Sequence, residues 1–305
     1  MKASGDSRGA GLPDPGIALP FLWRRMRASL RPRPGAAAVV RFDPKALERD
    51  PALTWIGHAT FYVRMDAAAF LTDPVYSERA SPLAFAGPRR LVPPGVPLEA
   101  LPRLDFVLLS HDHYDHTDLP TVRRLAVRGV PFVVPTGVAG LVTRAGGRVA
   151  AELGWWQAAT VGSVRVTCVP ARHFSGRGLT DRNRRLWAGF VVAGKTRRLY
   201  HSGDTALFDG FAEIGRRAGP IDLACLPIGA YEPRAIMGPI HLNPEEAVRA
   251  ALDLGARATV GMHFGTFDLA DEPLDEPPRR FLAEARARGL EESAFLMSIG
   301  ETRGF

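Results

Sequence analysis

A chain of 305 residues, 46% hydrophobic and 23% charged, carries enough apolar material for a sizeable buried core and excludes a wholly disordered or fibrous protein. The net charge of +7 comes from arginines scattered along the chain, not gathered into one aromatic-interleaved strip, so it reads as solvated surface and no nucleic acid is expected as partner. The two cysteines, Cys168 and Cys225, both fall in apolar runs, which excludes a disulfide framework, and no apolar run is long enough to span a membrane.

In chain order, residues 1–50 read as a flexible N-terminal leader and lead-in, and residues 51–305 as one large domain. Met1–Pro34 is rich in Gly, Pro and Arg, with one short helical piece expected around Phe21–Leu30. The apolar run Ile17–Trp23 precedes Arg24, Arg25, Arg27, Arg31 and Arg33, an order opposite to that of a secretory signal, so a cytoplasmic protein is expected. Phe21, Leu22 and Trp23 with these arginines leave two readings open: a peripheral contact with the inner face of a membrane, or a segment packed on the domain surface.

Leu53–Ile56, Thr60–Met65 and Ala68–Leu71 carry strand patterns separated by short turns and predict a β-meander. Tyr76–Leu98 holds seven prolines and glycines and is expected to be a long loop serving a site. Leu104–Ser110 is a buried strand by its apolar pattern and leads straight into His111-Asp112-His113-Tyr114-Asp115-His116. Helices are expected over Leu119–Val127 and Val138–Ala145, and strands over Pro131–Val134, Val164–Pro170, Trp187–Val192, Arg198–His201, Leu223–Leu226 and Thr259–Met262. Asn243 with Pro244, Glu245 and Glu246 predicts a capped helix running to about Leu254. Successive strand ends thus present the histidine cluster, His173, Asp204, Tyr231 and His263, and loops beyond one sheet edge can converge on one point.

Four ligand-type residues within positions 111–116, directly after an apolar strand, have no folding benefit and match divalent-metal ligation. His111 and His113 can face one ion from an extended turn, while Asp115 and His116 turn toward a second. His173, Asp204 and His263 are the remaining candidates, since a catalytic zinc wants three protein groups and an open position. Zn²⁺, two per chain, is the expected cofactor; the same donors accept Mn²⁺ or Fe²⁺.

The pattern resembles that of the metallo-β-lactamase superfamily, H-x-H-x-D-H followed by a distant His, a bridging Asp and a last His. The resemblance implies an α/β fold, the αβ/βα four-layer sandwich of two mixed β-sheets flanked by helices, for the hydrolase domain at 51–305. It implies His111, His113 and His173 at the first zinc, Asp115, His116 and His263 at the second, and Asp204 as a bridge. Two such ions activate a shared water. Asp115 and Asp204 are then expected to hold that hydroxide, with His241 as the candidate either to protonate the leaving group or to donate to the developing oxyanion.

Longer phrases are similar to the branch of N-acylphosphatidylethanolamine-hydrolysing phospholipase D: Trp55-Ile-Gly-His-Ala-Thr-Phe61, Leu109-Ser-His-Asp-His-Tyr-Asp-His116, Leu226-Pro-Ile-Gly-Ala-Tyr-Glu-Pro-Arg234, His241-x-Asn-Pro-Glu-Glu-Ala247 and Met262-His-Phe-Gly-Thr-Phe267. That likeness implies a phosphodiesterase of phospholipase D type acting on a phospholipid, with Tyr114 and His241 lining the substrate site. The alternative is a lactonase or other ring-opening hydrolase of the superfamily acting on a small molecule such as a sugar-phosphate lactone. A non-catalytic metal-binding scaffold is a third reading, which predicts a broken ligand set, and none is broken here.

His58 and Asp73 read as residues that orient the ligands from behind, and His201 as structural. Arg172, Arg177, Arg182 and Arg184 are candidates for binding a phosphate, or plain surface charge. Nothing in the sequence fixes oligomeric state; a homodimer is compatible with it.

Overall fold

The computed structural model describes residues 14–28, 35–178 and 180–305. Helix α1 (Pro15–Ala28) lies ahead of the domain, so the leader is not wholly flexible: its helix starts six residues before the expected piece, and Ser29 and Leu30 lie outside the described residues. Phe21 is buried against Ala230, Met237 and Ala270, and Arg25 pairs with Asp268 and Asp271. Packing and ion pairs, neither visible in local composition, tie this Gly- and Pro-rich segment down.

The meander forms as its alternation predicts: β1 (Ala52–Gly57), β2 (Thr60–Met65) and β3 (Ala68–Thr72) pair antiparallel. Then come β4 (Phe106–Leu108), α2 (Leu119–Val127), β5 (Phe132–Pro135), α3 (Ala139–Arg144) and β6 (Val149–Leu153), whose strands pair in parallel. The second half runs β7 (Ala158–Val161), β8 (Val164–Val169), β9 (Gly189–Ala193), β10 (Arg198–His201), α4 (Gly210–Ala218), β11 (Leu223–Pro227), α5 (Arg234–Met237), α6 (Pro244–Leu254), β12 (Ala258–Met262), α7 (Glu276–Ala287), β13 (Ala294–Phe295) and β14 (Thr302–Gly304). One sheet has the order β14-β1-β2-β3-β4-β5-β6 and the other β13-β12-β11-β10-β9-β8-β7, each part antiparallel and part parallel.

Side-chain alternation explains the layers. On β2, Phe61, Val63 and Met65 join the core cluster that also holds Val166, Cys168, Phe190 and Val192 of the other sheet, while Tyr62 points the opposite way into the cluster containing Val122 and Leu125 of α2 and Val142 of α3. The face-to-face sheets are thus covered on their outer sides by helices, which is the expected sandwich. Phe70 and Phe106 stack across the β3–β4 pair with centroids 4.8 Å apart. Each such fully buried aromatic stabilises the fold by roughly 1.5–3 kcal/mol through area alone.

Several elements escaped the sequence reading. α7 has a narrow apolar stripe of Pro277, Phe281 and Ala285 amid charge, and β6 and β7 are largely half-buried or exposed, so neither the helical nor the alternating pattern is strong.

Candidate metal centre

The ligand-type side chains are delivered by the loops at one end of both sheets. The loop after β4 carries His111, His113, Asp115 and His116; those after β8, β10 and β12 carry His173, Asp204 and His263; and the β1–β2 and β3 ends carry His58 and Asp73. His58, Asp73 and His263 adopt positive φ angles of 54°, 37° and 64°. Non-glycine residues in this region are uncommon and store backbone strain, which clusters at functional sites.

Two four-residue groups result, each with one donor atom per residue lying within 4.8 Å of the others: His111, His113, His173 and Asp204 in one, His58, Asp115, His116 and His263 in the other. Asp204, His241 and His263 form a third set that links them. Asp204 reaches both sides, with Oδ2 3.1 Å from His116 Nε2 and Oδ1 3.2 Å from His263 Nε2, and Oδ2 3.9 Å from His111 Nε2.

Hydrogen bonds behind the rings fix which nitrogen faces the centre. His173 Nδ1–H donates to Ile240 O at 2.9 Å and His116 Nδ1–H to Asp73 Oδ2 at 2.8 Å. Ser110 Oγ donates to Asp73 Oδ2 at 2.6 Å and so accepts from His111 Nδ1–H at 2.9 Å. All three rings therefore turn Nε2 inward, the atom that a metal would take in place of a proton. The inward atoms His116 Nε2, His263 Nε2 and Asp204 Oδ1 are buried and make no well-aligned hydrogen bond among the described residues, although Asp204 stands 3.1–3.2 Å from both rings. Buried polar atoms left unpaired are costly, and lone pairs converging on shared points are what divalent cations satisfy. The donor set of imidazoles and carboxylates fits two ions.

Electrostatics agree. Burial pulls His113 down to about 4 and His173 and His241 each to about 3, and drives His111 well below its usual value, so these rings are neutral near pH 7. Burial also opposes charge on His116 and His263, but the neighbouring carboxylates override it: Asp204, Asp115 and Asp73 hold His116 well above its usual value, and Asp204 and Asp115 push His263 up to about 9. Without a metal, the concentrated negative charge of Asp115 and Asp204 is answered by protons on these two rings.

His58 and Asp73 both lie against the ligands. His58 Nε2 is 3.1 Å from Asp115 Oδ2. Asp73 accepts from Ser110 N at 2.7 Å and, through Oδ2, from Ser110 Oγ, His116 and His201 Nε2, the last at 3.0 Å. Asp73 thus gathers two strands and a ligand onto one buried carboxylate, a role for His201 that its position on β10 did not reveal.

Tyr114 departs from expectation. Its hydroxyl donates to Arg177 O at 2.8 Å and its ring lies under the Arg177 guanidinium, and it is absent from the cavity wall. The side chains alternate along this turn, so Tyr114 faces the 175–185 loop while its neighbours face the centre. Asp112 was missed for the same reason: between two ligand histidines, it instead binds Gly176 N at 2.8 Å and Arg185 Nη1 at 2.7 Å.

A cavity of about 480 Å³ opens onto the centre. His113, Asp115, His173, Asp204, His241 and His263 form its polar end; Phe21, Ala230, Ala235, Ile236, Met237, Pro239, Ile240 and Leu269 give it apolar walls. His241 Nε2 stands 3.9 Å from Asp204 Oδ2, and its buried Nδ1 has no hydrogen-bond partner among the described residues.

A two-sheet sandwich with a paired His/Asp centre at its loop edge defines a metal-dependent hydrolase. The beta-lactamase superfamily domain matches residues 69–264. An uncharacterized protein of Mycobacterium tuberculosis is 46% identical over 276 residues, covering 87% of this chain and 73% of its own. N-acyl-phosphatidylethanolamine-hydrolyzing phospholipase D 1 of Caenorhabditis elegans is 40% identical, covering 81% and 74%, and the mitochondrial enzyme of that activity in Saccharomyces cerevisiae is 33% identical, covering 83% and 55%. Among solved structures, the metallo-β-lactamase fold protein YhfI of Bacillus subtilis superposes with a TM-score of 0.56 at 16% identity, covering 83% of this chain and 99% of its own. The chain belongs to the metallo-β-lactamase superfamily, on the branch that holds the N-acylphosphatidylethanolamine-hydrolysing phospholipases D.

Proposed function

We propose that this protein is a zinc-dependent phosphodiesterase of phospholipase D type acting on N-acylated ethanolamine phospholipids. The observation that carries this reading is the cavity, whose polar, donor-rich end is continuous with walls of Phe21, Ile236, Met237, Ile240 and Leu269. A phosphate with attached acyl chains matches that division, whereas a small polar lactone leaves the apolar walls unused. The nematode and yeast relatives support the same substrate class.

His111, His113, His173 and Asp204 would hold one ion, and Asp115, His116, His263 and Asp204 the other. Two divalent ions supply a lowered pKa for bound water and uptake of charge on the attacked phosphate. Asp73, Ser110 and Ile240 O keep the ligand rings oriented by accepting their Nδ1 protons directly or in relay. His241, neutral at pH 7, has one nitrogen toward Asp204 and is placed to donate an N–H hydrogen bond to the charge that develops on the attacked phosphate.

The test is mass spectrometry of products from N-palmitoyl phosphatidylethanolamine in mixed micelles with the zinc-loaded protein. Release of N-palmitoylethanolamine and phosphatidic acid is expected. Cleavage of a lactone or β-lactam with no diester turnover overturns the reading. His241→Ala is expected to keep two zinc ions per chain and lose on the order of 10²–10³-fold in kcat; loss of zinc instead identifies His241 as a ligand.

The outward face of α1 suits a peripheral membrane contact, with one correction to the sequence reading: Phe21 turns inward to the cavity. Leu19, Leu22, Trp23 and Met26, 54–67% exposed, turn outward beside Arg24 and Arg27.

A further inference from the structure

The long loop between β3 and β4 carries a feature that the metal centre does not use. Its two arms pair at a short root: Ala80 N donates to Pro88 O at 3.0 Å, Arg90 N donates to Glu78 O at 2.8 Å, and Arg79 and Arg89 form an antiparallel bridge. Arg79 Nη1 adds a bond to Gly87 O at 2.6 Å, and the arms come so close there that a Cβ on Gly87 would lie 2.6 Å from Ser81 Cβ. Beyond this neck stands the tip Pro82-Leu-Ala-Phe-Ala86, five residues without a polar side chain. Residues 82–85 are all exposed, Leu83 at 47% and Phe85 at 79%.

Single exposed apolar side chains are ordinary on a protein surface, whereas a consecutive run of them marks a surface that something covers. The root of this loop is fixed to the domain. Tyr76 N and Ser77 N donate to Asp118 Oδ2 at 3.1 and 3.0 Å, and Leu91 N donates to Thr266 O at 2.9 Å. The Arg90 guanidinium donates to Val75 O at 2.6 Å and lies 4.8 Å from the centre of the Phe267 ring. The strip that receives this root, residues 266–271, also receives α1 through Asp268 and Asp271, and its Leu269 lines the cavity. Two large apolar side chains are too few for a stable protein interface, which takes roughly 800 Å² from each partner. A bilayer asks for less, a few apolar side chains at acyl depth with cations at the headgroups. Arg79 and the exposed Arg89 stand directly behind the tip, against one acidic residue, Glu78.

We infer that the tip at residues 82–86 is a membrane anchor separate from α1, with Leu83 and Phe85 entering the interfacial region of an anionic bilayer and Arg89 meeting its phosphates. This deepens the phosphodiesterase reading and rests on it only for why the chain meets a bilayer; the apolar tip and its closed neck stand without it. A lone surface helix leaves the domain free to roll about the helix axis. A second anchor on the same strip of chain removes that freedom and holds the cavity in one orientation toward the lipid. Linked weak contacts also reinforce one another through effective concentration, so neither anchor needs to be strong alone.

The test uses the zinc-loaded full chain and co-sedimentation with vesicles of phosphatidylcholine and phosphatidylserine, or of phosphatidylcholine alone. Leu83→Ser with Phe85→Ser is expected to weaken binding to the mixed vesicles about tenfold, the loss of partly buried apolar surface, while bis-p-nitrophenyl phosphate turnover is unchanged. Arg89→Gln is expected to cost about fivefold on the mixed vesicles and nothing on phosphatidylcholine alone. Phe85→Trp, read against its parent in a Trp23→Phe background, reports the contact directly: its emission is expected to shift to the blue on the mixed vesicles and to be quenched by brominated acyl chains. Vesicle affinity of the double serine variant within twofold of wild type overturns the inference, as does a Trp at position 85 that brominated lipid leaves unquenched. If the serine variant melts at a lower temperature, the quenching of Phe85→Trp decides. A serine variant that turns a dimer into a monomer in sedimentation velocity and binds vesicles as wild type does assigns the tip to a second copy of the chain and overturns the inference. Quenching at position 85 in a protein that cleaves no phospholipid refutes the diesterase reading and leaves the anchor standing.

Discussion

Asp73 shows how much of the centre depends on a residue that is not itself among the inward-facing donors. Its Oδ2 takes protons from Ser110, His116 and His201, and through Ser110 it also sets the tautomer of His111. Asp73→Asn is expected to lower zinc affinity about 10- to 100-fold, measured by competition with a chromogenic chelator, because an amide accepts these protons weakly and turns an N–H toward one of them. Unchanged affinity would mean that the rings are held by packing alone. Cys168 and Cys225 offer a contrast, since both are free and buried, and burial pushes both thiols up. The folded protein is expected to give no reaction with Ellman's reagent at pH 8, and two thiols per chain in guanidinium chloride.

At the scale of elements, α6 has the clearest local code. Asn243 accepts from Glu246 N at 2.8 Å while Glu246 Oε2 accepts from Asn243 N at 2.9 Å, and the helix ends at Gly255 in the left-handed conformation with φ of 62°. Arg234 binds both oxygens of Glu246 and reaches His241 O at 3.2 Å, so the cap also steadies the His241 backbone. Asn243→Ala is expected to cost about 1 kcal/mol in urea denaturation with zinc content unchanged. Gly203 answers a different need: at φ of 58° it lets the chain turn from β10 into Asp204, and a Cβ there would lie 2.5 Å from Ser110 Cβ. Gly203→Ala is expected to displace Ser110 and, with it, the Asp73 network, seen as lost zinc before lost fold.

Across the whole molecule, the centre joins loops from both sheets, so metal and fold are coupled. Zinc at a hundredfold excess over Kd is expected to stabilise the loaded protein by about 2.7 kcal/mol per site, read as a higher Tm against the chelated form. No helix among the described residues is long and apolar enough to cross a membrane; the proposed membrane contact rests on the exposed face of α1. Leu22→Glu with Trp23→Ala is expected to reduce co-sedimentation with anionic phospholipid vesicles while bis-p-nitrophenyl phosphate turnover is retained. Binding equal to wild type would assign α1 to packing only.

Pattern and spacing were enough for the meander, the β4 strand, α2 and α6, because each is a local rule: alternation, an apolar run, a cap. They were also enough to single out the histidine cluster, since four ligand-type residues in six positions have no use in a core. What tertiary structure alone decided was direction and partnership. Tyr114 and Asp112 alternate away from the centre, Phe21 turns from the leader into the cavity, His201 shares Asp73 with His116, and Arg182, of the four arginines singled out near His173, lines the cavity. The physical reason is that residue type sets which chemistry a side chain offers, whereas its target depends on backbone turns and on strands more than a hundred residues apart in sequence, as Asp73 and His201 are.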